Sequence, residues 1–169
     1  GREVAVAVTP GYPRKYLRKQ EGEPHKLDEY RSIVGKLLYY ARKVSPELLN
    51  VVRELAQFLA SPGENHWKTL VRCVGYVKLN RFKGELVIKA PKEMCVISGA
   101  DANHATDEDD RKSVMGKVHT LGGAYITASS KKIPAVTLSS TESEYYSNSN
   151  AASEMKFQTM LLDEIFLHD

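Results

Sequence analysis

Cysteine is scarce in this 169-residue chain, which has only Cys73 and Cys95 and no CxxC spacing. Neither a disulfide framework nor a zinc site is indicated, and the five histidines are scattered. No apolar run approaches the roughly 18 residues of a membrane span, and residues 1–10 lack a signal-peptide pattern. These absences predict an intracellular protein without a membrane span. Since the chain begins with Gly1 and not methionine, we expect a fragment, a processed product or an incomplete protein.

A strong charge of either sign is also missing. The formal net charge is +3 and the isoelectric point about 8.8, a mild bias that permits nucleic-acid binding without requiring it. With 42% hydrophobic and 27% charged residues, the composition is that of a foldable protein with one domain or two small ones. This composition therefore argues against a chain that is disordered as a whole.

Residues 1–26 combine prolines and glycines with a basic, tyrosine-containing cluster that includes Arg14 and Lys15. This composition predicts an extended arm or linker. Basic residues interleaved with tyrosine can follow a phosphate backbone, but a solvated linker has the same composition. Both interpretations of Arg14 and Lys15 stay open at this point.

Apolar residues recur at helical spacing over residues 27–83, which predicts a small three-helix bundle with short loops. The second helix has the clearest apolar stripe, from Leu48 to Leu59. The predicted starts are Asp28 as an N-cap, Ser45 with Pro46, and Ser61 with Glu64 as a capping box.

The third predicted helix has two faces of different character. Its inner side is predicted to carry Trp67, Leu70, Val71, Val74 and Val77. Lys68 and Arg72 lie four residues apart on the outer face, and Lys78 and Arg81 follow. These four basic residues are candidates for binding phosphates, although most runs of charge are simply a solvated helix face.

Beyond residue 84 the pattern changes to short apolar segments separated by glycine and proline. Strands are expected at residues 85–90 and 94–98, then a polar loop, and then a hairpin that turns at Gly122 and Gly123. From Ser140 to about Leu167 almost no helix breaker occurs, so a long helix is predicted. Residues 84–169 are thus predicted as an antiparallel strand meander followed by a long helix, and the fold class of the chain as α+β.

The long helix begins in the segment TLSSTESEYY, residues 137–146, which has two acids in its first turns. Ser139 with Glu142 and Thr141 with Glu144 both have the spacing of a capping box, and acids suit the positive end of a helix dipole. A carboxylate here would have a chemical role only if a neighbouring strand brought a second one alongside. Local spacing alone favours capping.

Several motifs in a fixed order resemble those of copia-type retrotransposon Pol polyproteins. YRSIVGKLLYY followed by HWKTLVRCVGYVK resembles the segment after the palm of the reverse transcriptase, its thumb or connection. The start of the family's RNase H domain has motifs similar to four segments of this chain: DDRKS at 109–113, LGG at 121–123, SKK at 130–132 and LSSTESEY at 138–145. The resemblance covers about residues 27–166, so residues 84–169 are expected to be the N-terminal part of an RNase H-like domain.

This resemblance implies that Asp101 and Glu144 are two of the RNase H carboxylates, which bind Mg²⁺ or Mn²⁺ during hydrolysis of an RNA/DNA hybrid. Glu142 is then left for the helix cap. Asn103 and His104 depart from the family pattern, in which an acid and an aromatic residue are usual. The chain stops before the strand that would bring a third carboxylate, so we expect it to be inactive as given. The acidic residues of loop 107–110 are interpreted as solvated.

Two other functions remain open. A host could retain such a fragment as a non-catalytic structural subunit of a larger protein assembly, or the chain could be a stand-alone nucleic-acid binder that uses the arm and the third helix. The resemblance implies a location in the cytoplasm or nucleus.

Overall fold

The computed structural model describes residues 5–12, 17–81, 93–107 and 109–166, which form two compact units, residues 1–86 and 87–169. The first unit contains α1, a short 3₁₀ turn, α2 and α3, and the second contains three strands and α4. This is the α+β class that the sequence predicts, with a long C-terminal helix. The bounds are α1 Leu27–Lys43, 3₁₀ turn Pro46–Leu48, α2 Leu49–Ala56, α3 Glu64–Asn80, β1 Val96–Asn103, β2 Val114–Leu121, β3 Ala124–Lys132 and α4 Ser140–Phe166.

The core of the first unit lies between α1 and α2. The hydroxyl of Tyr30 donates a 2.8 Å hydrogen bond to the carbonyl of Leu55, so this buried phenol is satisfied across the helix pair. The apolar stripe predicted for the second helix is confirmed at all positions except Leu59, which is half-buried. The buried residues are Tyr30, Val34, Leu37 and Ala41 of α1, with Leu48, Leu49, Val51, Val52, Leu55 and Phe58.

The helix starts differ from the capping predictions. Lys26 occupies the N-cap position of α1 with φ 51° and no side-chain cap, and Asp28 lies inside the first turn. Ser45 is the N-cap residue with Pro46 in the first turn, as predicted, but the turn is 3₁₀ and the carbonyl of Ser45, not its hydroxyl, accepts the 3.0 Å bond from the Leu48 N–H that closes it. Before α3, the ring Nδ1 of His66 accepts the N–H of Gly63 at 2.7 Å. His66 thus does what a glutamate would do in a capping box, and Ser61 is not the cap.

The buried face of α3 also differs from the prediction. Of the predicted inner residues, Leu70 is buried and Trp67, Val71, Val74 and Val77 are half-buried; the other buried residues of α3 are His66, Thr69, Cys73 and Gly75. His66 stacks on Phe58 with ring centroids 4.0 Å apart, and its Nε2 lies 2.8 Å from the carbonyl of Arg18. Because both ring nitrogens have partners, this polar side chain can occupy the core.

The described residues before α1 lie against the helices without forming helix or strand. A Cβ on Gly75 would lie only 2.2 Å from the carbonyl oxygen of Ala5, so the chain passes directly over α3 at this point. Farther along, the N–H of Leu17 donates a 2.9 Å bond to Glu54. The described residues of the predicted arm are therefore packed on their own unit.

The second unit has an antiparallel sheet in the order β1, β2, β3. Asp101 pairs with Gly116, and the hairpin between β2 and β3 turns at Gly122 and Gly123 with φ of 54° and 84°, as predicted. The predicted strand at 85–90 lies outside the described residues. The next one starts at Val96 and continues to Asn103, because residues 96–103 all pair with β2, so Asp101 belongs to the strand and not to the loop.

Small side chains allow α4 to approach the sheet closely. Ser143, Ser147 and Ala151 are its buried residues and recur every four positions, so they form one helix face. Among the described residues, no helix is long and apolar enough to cross a membrane. Both cysteines are free, and burial raises the pKa of the Cys73 thiol to about 12.

Candidate carboxylate site and basic surface

Glu142 caps α4. The N–H of Glu142 donates to the Ser139 hydroxyl at 3.1 Å, and the N–H of Leu138 donates to the Glu142 carboxylate at 2.6 Å. These reciprocal bonds satisfy amides at the helix start that have no partner within the helix. The sequence predicts that Glu142 and not Glu144 caps the helix. This prediction is confirmed for Glu142, since the helix cap does not require Glu144.

Glu144 reaches β1 instead. Its Oε1 accepts the N–H of Ala102 at 3.3 Å, and one turn later the Ser147 hydroxyl donates to the carbonyl of Asp101 at 2.9 Å. Two hydrogen bonds therefore join the first turns of α4 to the strand position of Asp101. Burial alternates along β1, and Asp101 lies on its more exposed side whereas Glu144 is half-buried. Asp101 pairs with Gly116, whereas the β2 residues that meet α4 are Lys117 and His119, so the Asp101 side chain lies on the other face of the sheet. The structure therefore brings Glu144 to the main chain next to Asp101, but the two carboxylates do not share a face.

The donor set near Glu144 is small. Among the described residues, no group of three or more His, Cys, Asp or Glu side chains could hold a metal ion. A two-metal centre needs several carboxylate oxygens, and Glu144 already accepts a main-chain amide. The described residues therefore do not by themselves fit the two-metal centre that the resemblance implies.

The acidic loop after β1 has a structural role. The Asp107 carboxylate accepts the N–H groups of Asp109 and Asp110 and lies 2.5 Å from the ammonium of Lys132. Burial alone would raise the pKa of Asp107, but the bonds from Lys132 and the two amides hold it below its usual range. The interpretation of this loop as merely solvated is wrong for Asp107, whose side chain is only 11% exposed.

A buried polar cluster near the carboxylates was not anticipated from the sequence. The hydroxyls of Ser113 and Thr137 lie 2.6 Å apart, and Nδ1 of His104 lies 3.2 Å from the Thr137 hydroxyl. Ser113 precedes β2, Thr137 precedes α4 and His104 follows β1. Only the departure of His104 from the family pattern hinted at an unusual contact here.

A second cluster, also not anticipated, joins the sheet to α4. The ammonium of Lys117 lies 2.5 Å from the carboxylate of Glu154 and also bonds to Asn150, while His119 Nε2 lies 3.5 Å from Glu154. Lys117 and His119 are buried. They are two positions apart on β2, so their side chains lie on the same face of the sheet, toward α4.

The predicted phosphate-binding residues have different surroundings. Lys68 is exposed and pairs with Glu64 at 2.9 Å, whereas Arg72 is half-buried and donates to Gly11 and Thr9 at 3.1 and 2.7 Å. The Arg72 guanidinium also lies 4.6 Å from the centre of the Tyr12 ring. Lys78 and Arg81 are exposed, and at about 100° per residue Arg81 lies roughly 140° around the helix from Lys68. Arg14 and Lys15 lie outside the described residues.

The chain is similar to curated retroelement proteins. It is 37% identical over 137 residues to the retrovirus-related Pol polyprotein from transposon RE2 of Arabidopsis thaliana, covering 81% of this chain and 9% of the relative. It is 32% identical over 139 residues to the corresponding polyprotein from transposon TNT 1-94 of Nicotiana tabacum, covering 82% of this chain and 10% of the relative. The chain thus spans about a tenth of the length of these relatives.

A third relative matches over nearly its whole length. The secreted RxLR effector protein 161 of Plasmopara viticola is 33% identical over 131 residues, which cover 78% of this chain and 92% of the relative. No protein-family model matches the chain, and no solved structure matches it significantly.

Proposed function

Because the chain belongs to the family of copia-type retrotransposon Pol polyproteins, we propose that it binds RNA/DNA hybrid as part of a reverse transcriptase and RNase H module. The observation that carries the second half of this proposal is the bond from Ala102 N–H to the Glu144 carboxylate. It holds a helix acid against the main chain next to Asp101, and these are the two residues that the family resemblance expects to be carboxylate ligands.

In this proposal the two units have different tasks. Exposed lysines of α3, Lys68 and Lys78, neutralise phosphates of the hybrid, and Arg14 and Lys15 are further candidates for phosphate contacts. Asp101 and Glu144 contribute two carboxylates toward a Mg²⁺ or Mn²⁺ site, which when complete would supply the charge stabilisation for phosphodiester hydrolysis. Since the described residues do not complete such a site, we propose hydrolysis only for a chain that brings further carboxylates.

Hybrid binding is tested by titrating a labelled RNA/DNA hybrid with the chain at several salt concentrations. Lys68→Ala with Lys78→Ala should weaken binding and flatten its salt dependence, since two phosphate contacts are removed. Lys36→Ala with Lys43→Ala, two exposed lysines of α1, is the control with the same change of charge. No binding at low salt, or equal losses in both double variants, would contradict the proposal.

Catalysis is tested by incubating the same hybrid with the chain and Mg²⁺ or Mn²⁺. We expect no cleavage above background. Cleavage that disappears in both Asp101→Asn and Glu144→Gln would show instead that the chain completes a site by itself.

A second candidate function is that of a non-catalytic interaction subunit. The last turns of α4 expose large apolar side chains, with Phe157 66%, Met160 60% and Ile165 55% exposed, and such surfaces often mark protein contacts. The effector named above matches this chain over 92% of its own length, so a protein of this extent exists outside a long Pol polyprotein. Sedimentation velocity would test it: association abolished by Phe157→Gln with Ile165→Gln supports the role, and a monomer at all concentrations opposes it.

A further inference from the structure

Three polar side chains meet where the two elements carrying the carboxylates are anchored. His104 directly follows β1, Ser113 directly precedes β2, and Thr137 lies shortly before α4. Ser113 is fully buried and Thr137 is 4% exposed. Buried hydroxyls are costly unless they are hydrogen-bonded, so this contact is directional and fixes the geometry of the segments it joins.

The hydrogen bonds form a chain when the hydroxyl hydrogens are placed in one direction. The N–H of Ala105 donates to the Ser113 hydroxyl at 3.0 Å, which leaves the Ser113 hydrogen for Thr137 at 2.6 Å. The Thr137 hydrogen then points to Nδ1 of His104 at 3.2 Å. In this order every hydroxyl has an acceptor, and His104 accepts at Nδ1, which also lies 3.4 Å from the Ser113 hydroxyl. The main chain of Ser113 also accepts the N–H of Ile133 at 2.8 Å, which ties in the end of the hairpin.

We propose, building on the function proposed above, that Ser113, Thr137 and His104 form a polar clip that holds the Glu144 carboxylate on the Ala102 amide, next in the chain to Asp101. Thr137 is followed by the cap of Leu138 and Glu142, which sets the first turn of α4. His104 holds the strand end three residues beyond Asp101. The clip therefore fixes both ends of the Ala102 to Glu144 hydrogen bond, and its members are positioning residues that need not touch a substrate.

The charged groups around the clip have partners elsewhere. Lys132, at the end of β3, pairs with Asp107 and Asp110 of the loop, and Glu142 accepts the Leu138 amide. The clip thus depends on hydrogen bonds and not on an ion pair. Removing one hydroxyl should consequently loosen it without a large change in the charges nearby.

The test is amide hydrogen exchange measured by NMR, because the Ala102 amide directly reports its bond to Glu144. Glu144→Ala, which removes the acceptor, sets the reference for complete loss. Thr137→Val keeps the shape and removes the hydroxyl, and should speed Ala102 exchange on the order of tenfold, toward that reference. Thr137→Ser keeps the hydroxyl and should restore exchange to near the wild-type rate. Amides of the β2 and β3 ladder should stay unchanged in all variants.

The second set of variants replaces the imidazole ring of His104. His104→Asn presents a side-chain oxygen close to where Nδ1 lies and should keep Ala102 protected, whereas His104→Leu should not. If Thr137→Val does not fold, the two His104 variants provide the test instead. Wild-type exchange at Ala102 in both Thr137→Val and His104→Leu would overturn the proposal, as would equal acceleration throughout the β2 and β3 ladder. Lys68→Ala with Lys78→Ala tests hybrid binding without involving the clip, so the two proposals fail separately.

Discussion

The ammonium of Lys117 lies 2.5 Å from the carboxylate of Glu154, so a side chain that is only 2% exposed on β2 is neutralised by an acid on α4. Asn150 accepts a further hydrogen bond from the same ammonium. A cation in this position needs its partner because burying an unpaired charge costs several kcal/mol. This ion pair is therefore a sensitive reporter of how α4 packs on the sheet.

Replacing Glu154 by glutamine should lower the free energy of unfolding by about 2 kcal/mol, less than for a fully buried pair because the carboxylate is partly exposed. Urea denaturation of the variant and the wild type measures the difference. Glu164→Gln, an exposed acid on the same helix, is the control and should change stability by less than about 0.5 kcal/mol. Equal stability of Glu154→Gln and the wild type would mean that Lys117 finds another partner.

The same pair should make stability depend on pH. Burial by itself would raise the pKa of Glu154, but the hydrogen bond and charge of Lys117, with Lys131 and His119, hold it below its ordinary value. A lowered folded-state pKa adds stability that is present above the unfolded pKa and is lost as the pH falls through the folded one. Between about pH 5 and pH 3, the wild type should lose more stability than Glu154→Gln. Parallel pH profiles would contradict this assignment.

Gly75→Ala should destabilise the chain by about 1–2 kcal/mol, because the new Cβ would collide with the carbonyl of Ala5. Gly35→Ala is a matched control in the interior of α1, where nothing lies within 4 Å of the added carbon. That change should stabilise by about 0.5–1 kcal/mol through helix propensity. Thermal denaturation of both variants gives the comparison, and a stabilised Gly75→Ala would show that the N-terminal segment does not pass over α3.

Tyr30→Phe should cost about 1–2 kcal/mol, because it removes the hydrogen bond to the buried carbonyl of Leu55. Burial raises the pKa of the Tyr30 phenol, so no ionisation complicates the measurement at neutral pH. Tyr39→Phe removes a hydroxyl from a side chain that is 70% exposed and should be nearly neutral. Chemical denaturation distinguishes the two, and equal effects would argue against a buried bond at Tyr30.

Much of the secondary structure could be predicted from local patterns. The apolar stripe of the second helix and the glycine turn at Gly122 and Gly123 were correct because each depends on residues a few positions apart. The predicted cap at Ser61 was wrong, since His66 satisfies the amide of Gly63. The end of β1 was also placed too early, because Asp101 and Asn103 are strand residues only through their pairing with β2.

The sequence by itself determined the α+β class, the family and the role of Glu142, which bonds to residues within four positions of itself. Only the tertiary structure decided where Glu144 points, which side chains surround Lys117, and that Arg72 holds the N-terminal segment. These contacts join residues far apart in the chain. They depend on strand register and on how each helix is rotated against its neighbours, which a local pattern does not encode.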